Sequence, residues 1–118
     1  MNNFEYRVNL VDDYLNKLNL SNDIIDYFKG RNILVTGGAG AIGSNLVTVL
    51  SKLVGDEGMI IVLDNLSAIK GNEPIDLPPL SNMLFVNGDV RNDIDLKRVF
   101  REKPTIVYHL AAFFANQN

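Results

Sequence analysis

The stretch Thr36-Gly37-Gly38-Ala39-Gly40-Ala41-Ile42-Gly43 decides the fold. An apolar segment, Ile33-Leu34-Val35, runs into it. A helix-forming segment runs out of it, with Ile42, Leu46, Val49, Leu50 and Leu53 recurring on one side. Ser44, Asn45, Thr48 and Lys52 fall largely on the other, which predicts an amphipathic helix with those four toward water. A second apolar run, Met59 to Leu63, ends in Asp64, about 20 residues beyond Gly43. Strand, glycine turn, helix, strand and acid, in that order, are what a dinucleotide-binding βαβ unit requires. On that reading Gly37 allows a tight turn, Gly40 lets backbone approach a pyrophosphate, and Gly43 lets the helix lie close to the sheet. The phosphates meet N–H groups at the positive end of the helix dipole. Asp64 accepts hydrogen bonds from the adenosine ribose. Glycines alone also serve ordinary turns; the flanking strand and helix and the spaced acid favour the nucleotide.

Outward from this unit, strand and helix alternate. The first strand is about Asn32 to Thr36, and the second is apolar throughout, as when both faces of a parallel sheet are covered. Residues 67–82, with Pro74, Pro78 and Pro79, read as a surface loop in which Lys70 is solvated. The third strand is Met83 to Asn87, closed by Gly88-Asp89. Asn92 caps a helix bearing Leu96, Val99 and Phe100, with Lys97, Arg98 and Arg101 toward water. Pro104 precedes a fourth strand, Thr105 to Leu110. Right-handed crossovers then give an α/β, Rossmann-like parallel sheet in the order 3-2-1-4, helices on both faces. Gly37, Asp64, Asp89 and Ala111 line its carboxyl edge.

Residues 1–30 form a separate helical extension, and residues 31–118 the nucleotide-binding domain. Val11, Leu15 and Leu18 recur at helical spacing. Ser21 caps a second helix whose apolar face holds Ile24, Ile25 and Phe28, and Gly30 ends it. We read these helices as packed on their own domain; docking of a partner or second subunit is the alternative.

The 118 residues carry a net charge of −3, which gives no general nucleic-acid surface. There is no cysteine, so no disulfide and no thiolate chemistry. The start, Met1-Asn2-Asn3-Phe4, is not a signal peptide, and no apolar run reaches membrane-spanning length. A cytoplasmic protein without membrane or nucleic-acid partner is expected.

Four motifs then carry a resemblance. Thr36–Gly43, Asp64-Asn65-Leu66-Ser67, Gly88-Asp89-Val90-Arg91 and His109-Leu110-Ala111-Ala112 resemble the extended short-chain dehydrogenase/reductase pattern. Within it they are most similar to NAD-dependent nucleotide-sugar epimerases and dehydratases of the UDP-glucose 4-epimerase kind. The resemblance covers residues 32–118 and implies NAD as cofactor. It implies Gly37, Gly40, Ala41, Ile42 and Gly43 on the pyrophosphate, and Asp64, Asn65, Leu66 and Ser67 around the adenosine ribose. It implies Asp89 and Val90 at the adenine, and Leu110, Ala111 and Ala112 toward the nicotinamide. Gly88-Asp89 is otherwise plain turn chemistry. His109, the sole histidine, reads as a packed, hydrogen-bonded residue without a catalytic part.

The family's chemistry uses a tyrosine base with a lysine four residues on. The residues four beyond Tyr6, Tyr14, Tyr27 and Tyr108 are Leu10, Leu18, Arg31 and Ala112, so no such pair occurs. The chain therefore reads as the NAD-binding, N-terminal part of a longer enzyme that acts on a nucleotide sugar, without turnover of its own. A stand-alone NAD-binding regulatory module is the alternative, and a flavin-binding domain a weaker one. The open edge of the fourth strand, with Phe113 and Phe114 beyond it, predicts self-association.

Overall fold

A computed structural model of the chain describes residues 3–67 and 77–111. Lys70, Pro74, Ala112, Phe113 and Phe114 lie outside the described residues. The elements are α1 (Asn3–Leu18), α2 (Asn22–Phe28), β1 (Asn32–Thr36), α3 (Ala41–Val54), β2 (Met59–Asp64), β3 (Met83–Asn87), α4 (Asp93–Phe100) and β4 (Ile106–His109). The strands form one parallel sheet in the order β3-β2-β1-β4. The expected order therefore holds. Leu34 pairs with Ile61 on one side and with Val107 on the other. Hydrogen bonds from Thr105 N–H to the Asn32 carbonyl and from Leu110 N–H to the Thr36 carbonyl extend the β1–β4 contact past both ends of β4.

Alternation along the strands divides the core in two. Ile33, Val35, Ile60 and Val62 face α3, where they meet Val47, Leu50 and Val54. Leu34, Ile61, Leu63 and Val86 face the other way and meet Val99 of α4. Both faces of β1 and β2 are thus covered, which explains why their sequences are apolar at nearly every position.

The face of α3 differs from the sequence expectation. Ser44 and Thr48 are buried, whereas Ile42 is 79% exposed. The hydroxyls satisfy themselves inside the helix: Ser44 Oγ donates to the Ala41 carbonyl (3.2 Å) and Thr48 Oγ1 to the Ser44 carbonyl (2.8 Å). Back-bonded in this way, small hydroxyl residues pack as small apolar ones do. A helix covered on two sides, by the sheet and by α1 and α2, has no single water-facing half.

Two further expectations shift. Phe100 is 48% exposed, because it lies about 100° around α4 from the core-facing Val99. Leu77 is only 8% exposed and joins the α3-side core, so the end of the predicted surface loop reaches inward. Asn82, at the same end, ties down the C-terminus of α3. Its Nδ2 donates to the carbonyls of Ser51 and Gly55 (both 2.9 Å), and its Oδ1 accepts from Ser51 Oγ (2.6 Å). These bonds add second donors to carbonyls that already accept the N–H groups of Gly55 and Gly58, and so join the end of α3 to the start of β3.

The extension is helical as read, with Ser21 capping α2 through Ile24 N–H. Its inner residues match the expected ones in part: Val11, Leu15 and Phe28 turn inward, and Leu18, Ile24 and Ile25 do not. On α1 the half-buried stripe is Phe4, Val8, Val11 and Leu15, while Leu18 faces solvent. On α2, Ile24 and Ile25 are exposed and only Phe28 packs against the core.

Asn82→Ala removes three hydrogen bonds at the end of α3 and takes from Ser51 Oγ its acceptor there. A loss of about 1–3 kcal/mol is expected, read from the midpoint of urea unfolding with an unchanged slope.

Candidate functional site

The carboxyl ends of the four strands meet at the glycine turn. Gly37 leaves β1 at φ +75°, and its N–H donates to the Leu63 carbonyl (2.8 Å). A Cβ there would lie 2.7 Å from the Ala111 nitrogen, so only glycine lets the end of β4 cross this close. Gly43 answers a different constraint from the expected one. A Cβ on it would strike the Gly37 carbonyl oxygen and lie 2.7 Å from Gly38 Cα. It therefore sets the approach of α3 to the turn itself, while Gly38, against Val62 and Val47, is the glycine packed onto the sheet.

Gly40 is required by neither reason. Its φ is −74°, and a Cβ would meet only the Gly37 oxygen at an ordinary 3.5 Å. It is the N-cap of α3 and supplies no side-chain cap. Helix geometry leaves the amides of Ala41, Ile42 and Gly43 without intrahelical partners, and the two residues at the tip, Ala41 and Ile42, are exposed. The arrangement is an uncapped positive helix end with bare backbone in front of it.

Asp64, at the end of β2, sits beside that end. Its Oδ2 accepts from Ala39 N–H (2.9 Å), and its Oδ1 accepts from Leu66 N–H (2.7 Å). The second bond accompanies a left-handed Leu66 at φ +62°, an uncommon conformation for leucine. Asn65 Oδ1 accepts from Ser67 N–H (2.9 Å). The segment from Asp64 to Ser67 is thus folded by its own side chains into a turn at the mouth of the site.

Asp89 follows β3. Its Oδ1 accepts from Arg91 N–H (2.8 Å) and Nε (3.0 Å), and its Oδ2 from the Arg91 terminal nitrogen (2.6 Å). The Arg91 guanidinium, helped by that residue's backbone and by Asn65, holds the Asp89 carboxyl well below the usual carboxylate range. Asp89 raises Arg91 in return. From below, Asp95 of α4 accepts from Asp89 N–H (2.9 Å) and fills the space beside Gly88. Asn92 caps that helix through Ile94 and Asp95 N–H (2.9 and 3.1 Å). Val90 packs on the α4-side core.

At the fourth strand, Thr36 Oγ1 accepts from Ala111 N–H (3.3 Å) and lies 2.6 Å from His109 Nδ1. His109 is hydrogen-bonded as expected but exposed and not packed, because β4 is an edge strand. Leu110 is part-exposed beside it.

The structure therefore gathers Gly37, Gly40, Ala41, Ile42, Gly43, Asp64, Leu110 and Ala111 at one edge, with Asn65, Leu66, Ser67, Asp89 and Val90 on the neighbouring strand ends. Ala112 lies outside the described residues. Thr36, Arg91 and Asp95 were not singled out from the sequence. Thr36 and Arg91 stood inside quoted motifs, whereas nothing local marks Asp95. Two grooves elsewhere, of about 630 and 320 Å³, are lined by α1 with Pro78–Ser81 and by the α1–α2 turn with Lys52 and Leu53. They lie away from the glycine turn. Among the described residues there is no cluster of metal-ligating side chains, and no helix is long and apolar enough to cross a membrane.

Comparison with known proteins gives the family and the fold. Residues 33–118 match the sequence model of the NAD dependent epimerase/dehydratase family. A UDP-glucose 4-epimerase of Halalkalibacterium halodurans is 46% identical over 81 residues, 68% of this chain and 22% of that protein. The epimerase Mth375 of Methanothermobacter thermautotrophicus superimposes with a TM-score of 0.68 at 46% identity, covering 80% of this chain and 26% of that one. The Bordetella bronchiseptica enzyme WbmF, solved with NAD+ and also with NAD+ and UDP, gives 0.60 at 32% identity, covering 74% of this chain and 24% of that one. The chain spans about a quarter of the length of the curated relatives it matches.

The Asp89–Arg91 pair has a definite pH signature. A depressed folded-state pKa contributes stability that is present above the ordinary aspartate value of about 3.9 and is lost as pH falls through the folded value. In a carbon-detected NMR titration, Asp89 is expected to stay ionised where ordinary aspartates take up protons. Arg91→Ala is expected to move it upward toward the usual range, the backbone N–H of residue 91 and Asn65 keeping part of the depression.

Proposed function

The chain belongs to the NAD-dependent epimerase/dehydratase family, and from that premise we propose that it is the NAD-binding portion of a nucleotide-sugar epimerase that acts by transient hydride transfer. The observation that carries the proposal is Gly40. Packing does not demand a glycine there, and helix stability favours Ser, Asp or Asn at an N-cap. A bare backbone at that position fits a ligand anion that takes the place of the missing cap.

In this reading the turn of Gly37, Gly40 and Gly43, with the amides of Ala41 and Ile42, holds the pyrophosphate. Asp64 faces the adenosine ribose with lone pairs left over from its two backbone bonds. Asn65, Leu66 and Ser67 shape the wall behind it. Asp89, kept ionised and oriented by Arg91, accepts from the adenine amine, with Val90 beneath. Leu110, Ala111 and Ala112 run toward the nicotinamide. When bound, NAD supplies the hydride acceptor. The residues of this chain bind and orient; none of them is assigned the proton transfer, since no Tyr-x-x-x-Lys pair occurs in the sequence. A nucleotide-sugar dehydratase is the second reading, supported by the family's own description. We further propose that residues 1–30 are an extension to a nucleotide-binding unit of residues 31–118. We propose a cytoplasmic protein that self-associates along the β4 edge, where Val107 is half-exposed.

Three outcomes are expected. In calorimetry of the 118-residue chain, NAD binds and NADP binds at least tenfold more weakly. A 2′-phosphate about 4 Å from Asp64 would be repelled by up to ~4 kcal/mol before salt screening, and ~1.4 kcal/mol suffices for tenfold. Absence of NAD binding, or equal affinity for both dinucleotides, would overturn the reading. Gly40→Ser is expected to leave stability unchanged or raise it by a few tenths of a kcal/mol, while NAD binding weakens at least tenfold. Light scattering at rising concentration is expected to give a mass above the 13.1 kDa of one chain.

A further inference from the structure

We propose that the outer face of α1 pairs two copies of this chain, antiparallel, about a two-fold axis at Leu10. The family match begins at residue 33, so α1 lies outside it. One side of α1 is taken up by its own domain. Phe4, Val8, Val11 and Leu15 are half-buried there. An Arg7 terminal nitrogen donates to Ser44 Oγ (3.3 Å) and Asn45 Oδ1 (3.1 Å), and Asp12 pairs with Lys52 at 3.3 Å, so α1 is held on α3. The other side is apolar as well. Tyr6, Leu10 and Tyr14 follow one another at successive turns and all three are exposed, the tyrosines at 56% and 60%. Counting about 100° per residue, Leu10 lies roughly 130° around α1 from the middle of the half-buried stripe, so one neighbour cannot cover both. A lone exposed leucine means little, but a row of tyrosine, leucine and tyrosine has the composition of an interface.

The row itself points to a second copy as its partner. It reads the same from either end, since Tyr6 and Tyr14 stand four residues to each side of Leu10. Antiparallel pairing about Leu10 sets Tyr6 of each copy against Tyr14 of the other, and Leu10 against Leu10. That is the reciprocity an isologous contact requires. The charges choose the direction. Asp13 and Lys17, which border the row, both lie on the C-terminal side of Leu10. Parallel pairing would bring Asp13 beside Asp13 and Lys17 beside Lys17. Antiparallel pairing separates the two Asp13 residues by about 9 Å and the two Lys17 residues by about 21 Å along the axis. It also brings unlike ends of the two helix dipoles together. With each tyrosine more than half exposed out of roughly 150–250 Å², the row offers about 300 Å² of apolar surface per copy, against a standard of ~800 Å² of total surface per partner. The contact therefore belongs to the small, weak class, a dimer that dissociates on dilution.

The chain has no cysteine, so single cysteines placed on α1 report the contact. Under mild oxidation Leu10→Cys is expected to give a disulfide-linked dimer at least about tenfold faster than Tyr6→Cys or Tyr14→Cys alone. The axis holds the two Tyr6 positions about 12 Å apart along α1, beyond the ~7 Å between Cα atoms that a disulfide spans. An equal mixture of Tyr6→Cys and Tyr14→Cys is expected to cross-link about as fast as Leu10→Cys. Adding Leu10→Lys to that mixture is expected to slow it at least about tenfold, with the urea midpoint of the chain unchanged because the position is exposed. Val107→Lys, on the β4 edge, is expected to leave all these rates as they are, which separates this contact from association along that edge. Equal cross-linking at the three positions, a mixture no faster than its components, or a loss of cross-linking in Val107→Lys would overturn the proposal.

Discussion

The contact between Gly43 and the carbonyl of Gly37 is the constraint on which the rest of the molecule depends. The first turn of α3 lies against the turn that leaves β1 with no room for a Cβ. That approach aims the helix start at the sheet edge and fixes where its unpartnered amides point. It also seats Val47, Leu50 and Val54 over Ile33, Val35, Ile60 and Val62. A residue larger than glycine would tilt the helix, with losses both in the core and at the site. Fold and site are thus two consequences of one close approach.

The hydrogen bonds around the strand ends show how the remaining groups are held. Asp64 braces the turn from β2 through Ala39, Thr36 braces it from β4 through Ala111, and Asp95 braces Asp89 from α4. The first two bonds join segments far apart in sequence; the third closes a short span of six residues. The Asp89–Arg91 pair is largely exposed, so its worth lies in orienting the carboxylate more than in stability.

The faces of the helices teach the limits of periodicity. Apolar character alone turns Ile42 inward and Ser44 and Thr48 outward. At the start of α3, however, Ile42 stands at the open tip and the hydroxyls of Ser44 and Thr48 bond back into the helix. Phe100 faces outward for a simpler reason: α4 is short, and only one of two adjacent apolar residues can face the sheet. On α1 the half-buried Arg7 lies beside the apolar stripe and bonds to α3, a place that no apolar pattern would select.

The sequence by itself determined the order of strands and helices, the 3-2-1-4 sheet, the glycine turn, the caps Ser21 and Asn92 and the acids at the strand ends. These are local signals: a turn conformation, a cap or a buried strand is dictated by residues within a few positions. Only the tertiary structure decided which glycine packs on what, which side of α3 is covered, and how Arg7, Asn82 and Asp95 are used. Those roles depend on which surfaces meet. Arg7 reaches Ser44 and Asn82 reaches Ser51 across spans of chain that no local pattern joins. The physical reason is that a polar side chain's partner is set by the approach of whole elements, and that approach is fixed where two glycines allow it.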